Sequence, residues 1–395
     1  MLLKDVICCQ IIMPNDLTRG STRMRKKICT TILLIILSAV FLVACKKKAS
    51  DDEDIIPDDI TGPELTVTVT VPPVTEAPSP TPEQEESHEG MMRSYLTGLW
   101  IPVELGTKRP YAIQFNNFKT VKNQWGIGQA DIVYECLVEG GLTRLLGIGQ
   151  NFSGDKLGSV RSARHYFVSI LEEYDAIYIH YGKTKYATSK MKKLGTDHMD
   201  GTTGIGNIVY YRDKSIKAPH NAFTSIDRIQ EGIKKQKFRT ELEDDYQPHF
   251  KFYENDTDLA SGTKASKINI RFSASAQPYF EYNSEDKLYY RFQYGDVHKD
   301  SLTGEQLSFK NVIIQFVKEW DIDKNGYQTM DLEDAQGEGL YFTNGKAVPI
   351  TWKKKEATSW MRYFDEAGEE LTINPGKTFI ILFPNNRTKD VKFSE

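Results

Sequence analysis

The stretch Asp131-Ile132-Val133-Tyr134-Glu135-Cys136-Leu137-Val138-Glu139-Gly140-Gly141-Leu142-Thr143-Arg144-Leu145-Leu146-Gly147-Ile148-Gly149 consists of two apolar alternating runs joined by a glycine pair. Such runs read as strands, and Gly140-Gly141 between them reads as a two-residue hairpin turn. Setting Glu139 opposite Leu142 fixes a register in which Leu137 faces Arg144 and Glu135 faces Leu146. In that register Asp131, Glu135 and Glu139 share a face with Arg144, and both glutamates are its diagonal neighbours. Residues four apart along one strand stand about 13 Å apart at roughly 3.3 Å per residue. That is too far for a retaining glycosidase pair, which needs about 5–5.5 Å.

Outward from this hairpin, strand patterns at residues 110–115, 131–138, 145–152 and 176–181 alternate with helical ones at 162–174 and 225–235. Alternation of this kind predicts an α/β layer domain over residues 91–248. Beyond it the pattern changes. Short apolar runs at 268–272, 288–292, 312–317, 340–342, 348–352 and 378–383, separated by Gly, Asn and Asp turns, predict a mainly antiparallel β domain over 249–395. The expected fold class is therefore α+β (mixed α/β), and 395 residues suit two domains. No repeat of fixed period is present.

A second motif follows the hairpin: Leu157-Gly158-Ser159-Val160-Arg161-Ser162-Ala163-Arg164-His165. Ser159 after a glycine reads as an N-cap. Helical spacing then puts Arg161, Arg164 and His165 on one face and Phe167, Ile170, Leu171 and Tyr174 on another. A helix start carrying two arginines and an imidazole suits an anion. The same arginines could instead close an internal ion network with Asp131, Glu135 or Glu139. Both readings stand at this point.

Charge is unevenly distributed along the chain. Six basic residues meet two acids in 1–44, and twelve acids meet three lysines in 45–90. The whole chain carries −4, so the part beyond residue 90 is nearly neutral. It has no basic stripe for nucleic acid. Met24-Arg25-Lys26-Lys27 followed by the apolar run 28–43 reads as an export signal, with an uncleaved anchor helix as the alternative. The run is shorter than the roughly 20 residues of a stable span. Residues 1–23 fit neither region, which puts the expected start of translation at Met24. Residues 45–90, rich in Asp, Glu, Thr and Pro, read as a disordered acidic tether able to hold the body up to roughly 100 Å from its anchor. Loss of the leader leaves Cys45 and Cys136. Cys136 alternates with Tyr134 and Val138 on an apolar face, so a buried, inert thiol is expected.

Leu42-Val43-Ala44-Cys45 resembles a bacterial lipobox. The resemblance implies lipid on Cys45 as the mature N-terminus, and a location on the outer face of the cytoplasmic membrane. The body resembles the YerB-like lipoproteins of Gram-positive bacteria, a two-domain family. The matching stretches include Leu96-Thr97-Gly98, Arg109-Pro110, Asn117, residues 129–135, Glu139-Gly140-Gly141-Leu142-Thr143-Arg144, Val160-Arg161-Ser162-Ala163-Arg164, Ala218-Pro219-His220-Asn221 and Asn374-Pro375-Gly376-Lys377-Thr378. Ser159 stands where the family pattern has a proline. The resemblance implies a location and a domain plan but no reaction.

The remaining signals are weaker. Thr196-Asp197-His198-Met199-Asp200 hints at a metal without any established ligand spacing, so a polar loop and no metal are expected. No phosphate loop, dinucleotide fingerprint or G-x-S-x-G elbow occurs, and no cofactor is expected. His220 sits in a turn, as a turn-stabilising imidazole or an acid–base group. Tyr289, Tyr290, Phe292 and Tyr294 are dense enough for half of them to form a glycan or peptide platform.

Three functions follow. The favoured one is a membrane-anchored binding or regulatory module for a cell-envelope polymer or envelope protein, with Arg144, Arg161, Arg164, His165 and Glu139 at the ligand. The alternative is an envelope hydrolase or transferase for an anionic glycan or phosphodiester. There Arg144, Arg161 and Arg164 clamp the anion, with Asp131 or Glu135 as base and His220 as a further catalytic candidate. A structural lipoprotein without a small ligand is the third.

Overall fold

In the computed structural model, which describes residues 87–394, Ile132–Leu137 and Thr143–Gly149 form the antiparallel hairpin that the sequence predicts. Its turn is longer than the expected two residues. Glu139–Gly141 form a three-residue turn, closed by the Val138 N–H donating to the Leu142 carbonyl at 2.8 Å. Gly140 and Gly141 both take positive φ, 74° and 70°, which only glycine adopts readily. The extra turn residue slips the pairing by one: Cys136 faces Arg144 and Glu135 faces Leu145. A one-residue slip turns a side chain to the other face of the sheet, so the expected shared face of Glu135 and Arg144 is corrected.

The hairpin lies inside an eleven-stranded sheet. On one side of it lie Tyr111–Asn116, Ile177–His180 and His198–Asp200. On the other lie Thr378–Pro384, Asn311–Val317, Ala335–Thr343, Lys346–Lys354 and Thr263–Lys264, with Arg362–Phe364 beside Lys346–Lys354. Thr378–Pro384 runs parallel to both Ile132–Leu137 and Asn311–Val317, pairing Phe379 with Val133 and Ile381 with Glu135. The sheet therefore crosses residue 248, and strands from both halves of the sequence share one hydrogen-bonded ladder. Every residue of Ile132–Leu137, Thr143–Gly149, Asn311–Val317 and Thr378–Pro384 is buried, as a sheet covered on both faces requires. A second, six-stranded antiparallel sheet contains Lys267–Ile270, Tyr279–Asn283, Leu288–Gln293 and Val391–Ser394. Few helices and many strands make the fold mixed α+β, mostly β.

The helix expected at 162–174 begins later, at His165–Leu171, and continues as a 3₁₀ turn, Glu172–Tyr174. Residues before it are drawn into sheet-like bonding. The Asn116 N–H donates to the Ser159 carbonyl (2.9 Å), Arg161 N–H to the Gln114 carbonyl (2.8 Å), and Ala163 N–H to the Gly182 carbonyl (2.9 Å). Ser159 is thus not an N-cap; Arg164 occupies that position without a side-chain cap. The helix Ile226–Gln236 starts where expected, and its Ser225 cap accepts from the Arg228 N–H at 3.3 Å. Among the described residues three helices have no counterpart in the sequence reading: the single turns Val103–Gly106 and Gly206–Val209, and the longer Lys185–Leu194. Lys185–Leu194 is capped by Thr184, but it buries only Ala187 and Met191, too thin an apolar stripe for periodicity to reveal.

Among the described residues no helix is long and apolar enough to cross a membrane. The leader, Cys45 and nearly all of the tether lie outside the described residues. Cys136 is fully buried, and burial pushes its thiol well above the ordinary range, as an inert core residue requires.

Candidate functional site

Tyr111–Asn116, Ile132–Leu137 and Ile177–His180 point the same way, because Thr143–Gly149 pairs antiparallel with the first two and Ile177–His180 runs parallel to the first. Open sheets place ligands outside the carboxyl ends of such strands. There Asn116 ends its strand, Arg144 begins the returning one, and the extended segment brings Arg161 and Arg164 alongside. The loop after Pro219 adds His220.

Arg144 is 7% exposed, and its Nη1 donates to the Ser162 carbonyl at 2.6 Å. Burial and the nearby guanidiniums of Arg164 and Arg161 pull its pKa down to about 9. Arg164 grips Glu139 with two bonds, Nε–Oε1 at 2.7 Å and Nη2–Oε2 at 2.5 Å. Burial works against the Glu139 charge, yet the Arg164 bonds prevail and hold this carboxyl below its usual range. The Arg161 guanidinium donates to the Pro219 carbonyl at 3.2 Å, and its pKa is lowered by burial and then by Arg164 and Arg212. Arg212 stacks its guanidinium 4.6 Å from the Tyr181 ring centroid and donates to Asn221 Oδ1 at 2.7 Å. Among the described residues Arg144, Arg161 and Arg212 have no ion-pair partner. Glu139 thus faces Arg164 and Arg144, and Arg161 and Arg212 extend the cluster beyond them.

His220 completes the rim. Asn116 Nδ2 donates to its Nδ1 at 3.0 Å, and its ring stacks on Phe118 at 4.6 Å with 9° between planes. Burial and the Arg161 charge lower its pKa, so the imidazole is neutral near pH 7. His165 turns aside: its Nε2 meets Thr329 Oγ1 at 2.6 Å, and burial, Lys190 and Arg164 hold it at about 4.

The two carboxylates that the sequence offers as bases are elsewhere. Glu135 is fully buried on the opposite face of the hairpin and is saturated. It accepts from Thr143 Oγ1 (2.7 Å), Asn117 Nδ2 (3.2 Å) and Arg291 Nη2 (2.7 Å). Arg291 continues to Gln293 and His298, and His298 Nε2 meets Gln124 Oε1 at 2.6 Å. Asp131 sits at the far end of its strand, in a cleft of about 950 Å³ shared with Lys310 and Lys377. Burial raises it to about 6, against the Gln150 N–H and Lys377.

The histidine–aspartate run is also accounted for locally. Asp200 accepts from the Gly182 N–H (2.8 Å), Thr202 and Lys183, while His180 Nε2 contacts His198 Nδ1 at 3.0 Å. Among the described residues no three His, Cys, Asp or Glu side chains are arranged to hold a metal.

Sequence reasoning thus found Arg144, Arg161, Arg164, Glu139 and His220, which come together, and missed Arg212 and Asn116. Arg212 reaches the site because its short strand, Tyr211–Arg212, pairs with Ala222–Thr224, so the ladder clamps the intervening His220 loop. No local signal marks that pairing.

Comparison with known proteins places the chain. The family model "Protein of unknown function (DUF3048) N-terminal domain" matches residues 96–239, and "Protein of unknown function (DUF3048) C-terminal domain" matches residues 268–380. YerB of Bacillus subtilis (strain 168), a candidate lipoprotein by its name, is 29% identical over 302 residues, covering 74% of this chain and 87% of that protein. A crystal structure of the YerB protein from Bacillus subtilis matches with a TM-score of 0.68 at 27% identity, covering 77% of this chain and 100% of that one. With both domains in order, this identity and a common fold, the chain belongs to the YerB-like lipoprotein family.

Proposed function

We propose that the protein is a lipid-anchored binding module on the outer face of the cytoplasmic membrane, and that it captures an anionic group of a cell-envelope polymer at the arginine cluster. The anchor is Cys45, and residues 45–90 serve as the spacer. Arg144 carries the reading. A nearly inaccessible guanidinium that, among the described residues, has no ion-pair partner and meets Glu139 only through space, beside two like charges, is costly to keep charged unless an anion completes it. Arg161 and Arg212 offer forked donors from the rim, matched to a carboxylate or phosphate. His220 and Asn116 supply neutral polar contacts beside them.

Binding is favoured over turnover because Glu135 is engaged by three protein donors and Asp131 stands at the other end of its strand. The test is titration of the whole chain with inorganic phosphate and with galacturonate, followed by calorimetry. Saturable binding of at least one is expected, and Arg161→Ala should weaken it about tenfold, the worth of one charge-assisted hydrogen bond. Unfolding should shift by no more than about 0.5 kcal/mol, as for a surface change. Loss of stability without loss of binding would make the cluster a folding element instead.

A further inference from the structure

A groove of about 800 Å³ adjoins the arginine cluster, lined by Phe118, Lys119, Leu142, Arg271, Tyr294 and Lys392 among others. The two sites share a wall. Phe118 lines the groove while stacked on His220, and Leu142 stands two residues before Arg144 on the hairpin. The groove therefore begins where the cluster ends. Among the described residues Lys119, Arg271 and Lys392 have no ion-pair partner. The one acid in the lining, Asp390, is paired with Arg387 at 2.9 Å. Tyr294 is fixed from behind by its hydroxyl, which donates to the Asn117 carbonyl at 2.5 Å.

Unpaired cations spaced along a partly aromatic floor suit a ligand whose negative charges alternate with flat or polyol segments. A small anion would occupy the cluster and leave the groove empty. We propose that the groove and the cluster form one continuous site for a linear polyanionic chain, a polyuronate or a polyol phosphate, that spans several repeat units. Arg144, Arg161 and Arg212 take one anionic group, and Lys119, Arg271 and Lys392 take those that follow. The inference rests on the anion-binding reading above and deepens it. Linking successive groups on one chain makes each later contact intramolecular, so affinity rises with length.

The experiment compares monomers with octamers on the whole chain, at equal concentration of repeat units. The probes are galacturonate and its octamer, glycerol phosphate and its octamer, and octaglutamate. One of the two octamers should bind about tenfold or more tightly than its own monomer. Arg271→Ala combined with Lys392→Ala should return that octamer toward monomer affinity while leaving the monomer unchanged. Arg161→Ala should weaken both. Equal affinity of monomer and octamer, with the monomer still bound, overturns the continuous site and leaves the anion reading standing. Failure of every probe to bind overturns both. Octaglutamate binding as tightly as the better octamer overturns the assignment to a polyuronate or polyol phosphate and points to an acidic peptide. The two octamers compared with each other tell carboxylate from phosphate.

Discussion

The molecule contains two buried-arginine clusters on opposite faces of one hairpin, one around Arg291 and one around Arg144, and they are built on opposite principles. Around Arg291 the charge is closed: Glu135 answers it at 2.7 Å, both side chains are wholly inaccessible, and Gln293 and His298 take further contacts. Around Arg144 the charge is open: Glu139 pairs directly with Arg164 and reaches Arg144 only through space, and among the described residues Arg144, Arg161 and Arg212 have no ion-pair partner. The closed cluster ties the two halves of the sequence together. The open one leaves charge for a ligand. Burial of an arginine therefore says little by itself; what separates glue from site is whether the protein also supplies the counter-charge.

Breaking the closed cluster should have the largest effect. Arg291→Ala would leave Glu135 buried without its partner, which typically costs about 3–5 kcal/mol. Denaturant unfolding should record a loss of that size. A loss under about 1 kcal/mol would erase the contrast between the clusters.

Acid sharpens the same contrast at a smaller scale. His298, in the closed cluster, and His249 are held well below their ordinary range by burial, with Arg291 beside the first and Lys354 and Arg362 near the second. His249 stands 3.4 Å from Glu173, yet burial outweighs that carboxylate and keeps the ring neutral. A histidine depressed in the folded state binds its proton first in the unfolded chain. Each therefore subtracts about 1.4 kcal/mol per pH unit as pH falls below about 6.5. Asp131, raised to about 6, and Glu319, raised to about 7, act in the opposite direction. Denaturation midpoints should fall from pH 6.5 to 5. His249→Phe, which keeps the stack on Tyr174 and removes two buried nitrogens lacking partners, should flatten that slope. An unchanged slope would show that His249 does not carry the effect.

The smallest expected effect lies in the open cluster. Glu139→Gln removes its single counter-charge and frees Arg164. Stability should fall by about 1 kcal/mol, the worth of one modest polar contact. Affinity for phosphate or galacturonate should rise about threefold, roughly 0.7 kcal/mol. A fall in anion affinity would mean that Glu139 positions Arg164 rather than opposing the ligand.

The sequence by itself determined the strands around the central hairpin, the inert Cys136, the mixed α+β class and the family, because apolar alternation and collinear motifs are local properties. It also named most of the open cluster, whose arginines lie within one short segment. Only the tertiary structure decided which carboxylate meets which arginine. One extra residue in the Glu139–Gly141 turn moved Glu135 to the face opposite Arg144, and its true partner lies 156 residues away along the chain. The late start of the His165 helix was likewise set by hydrogen bonds to neighbouring strands rather than by its own residues. Register and long-range pairing are cooperative outcomes of the whole sheet, and no window of sequence contains them.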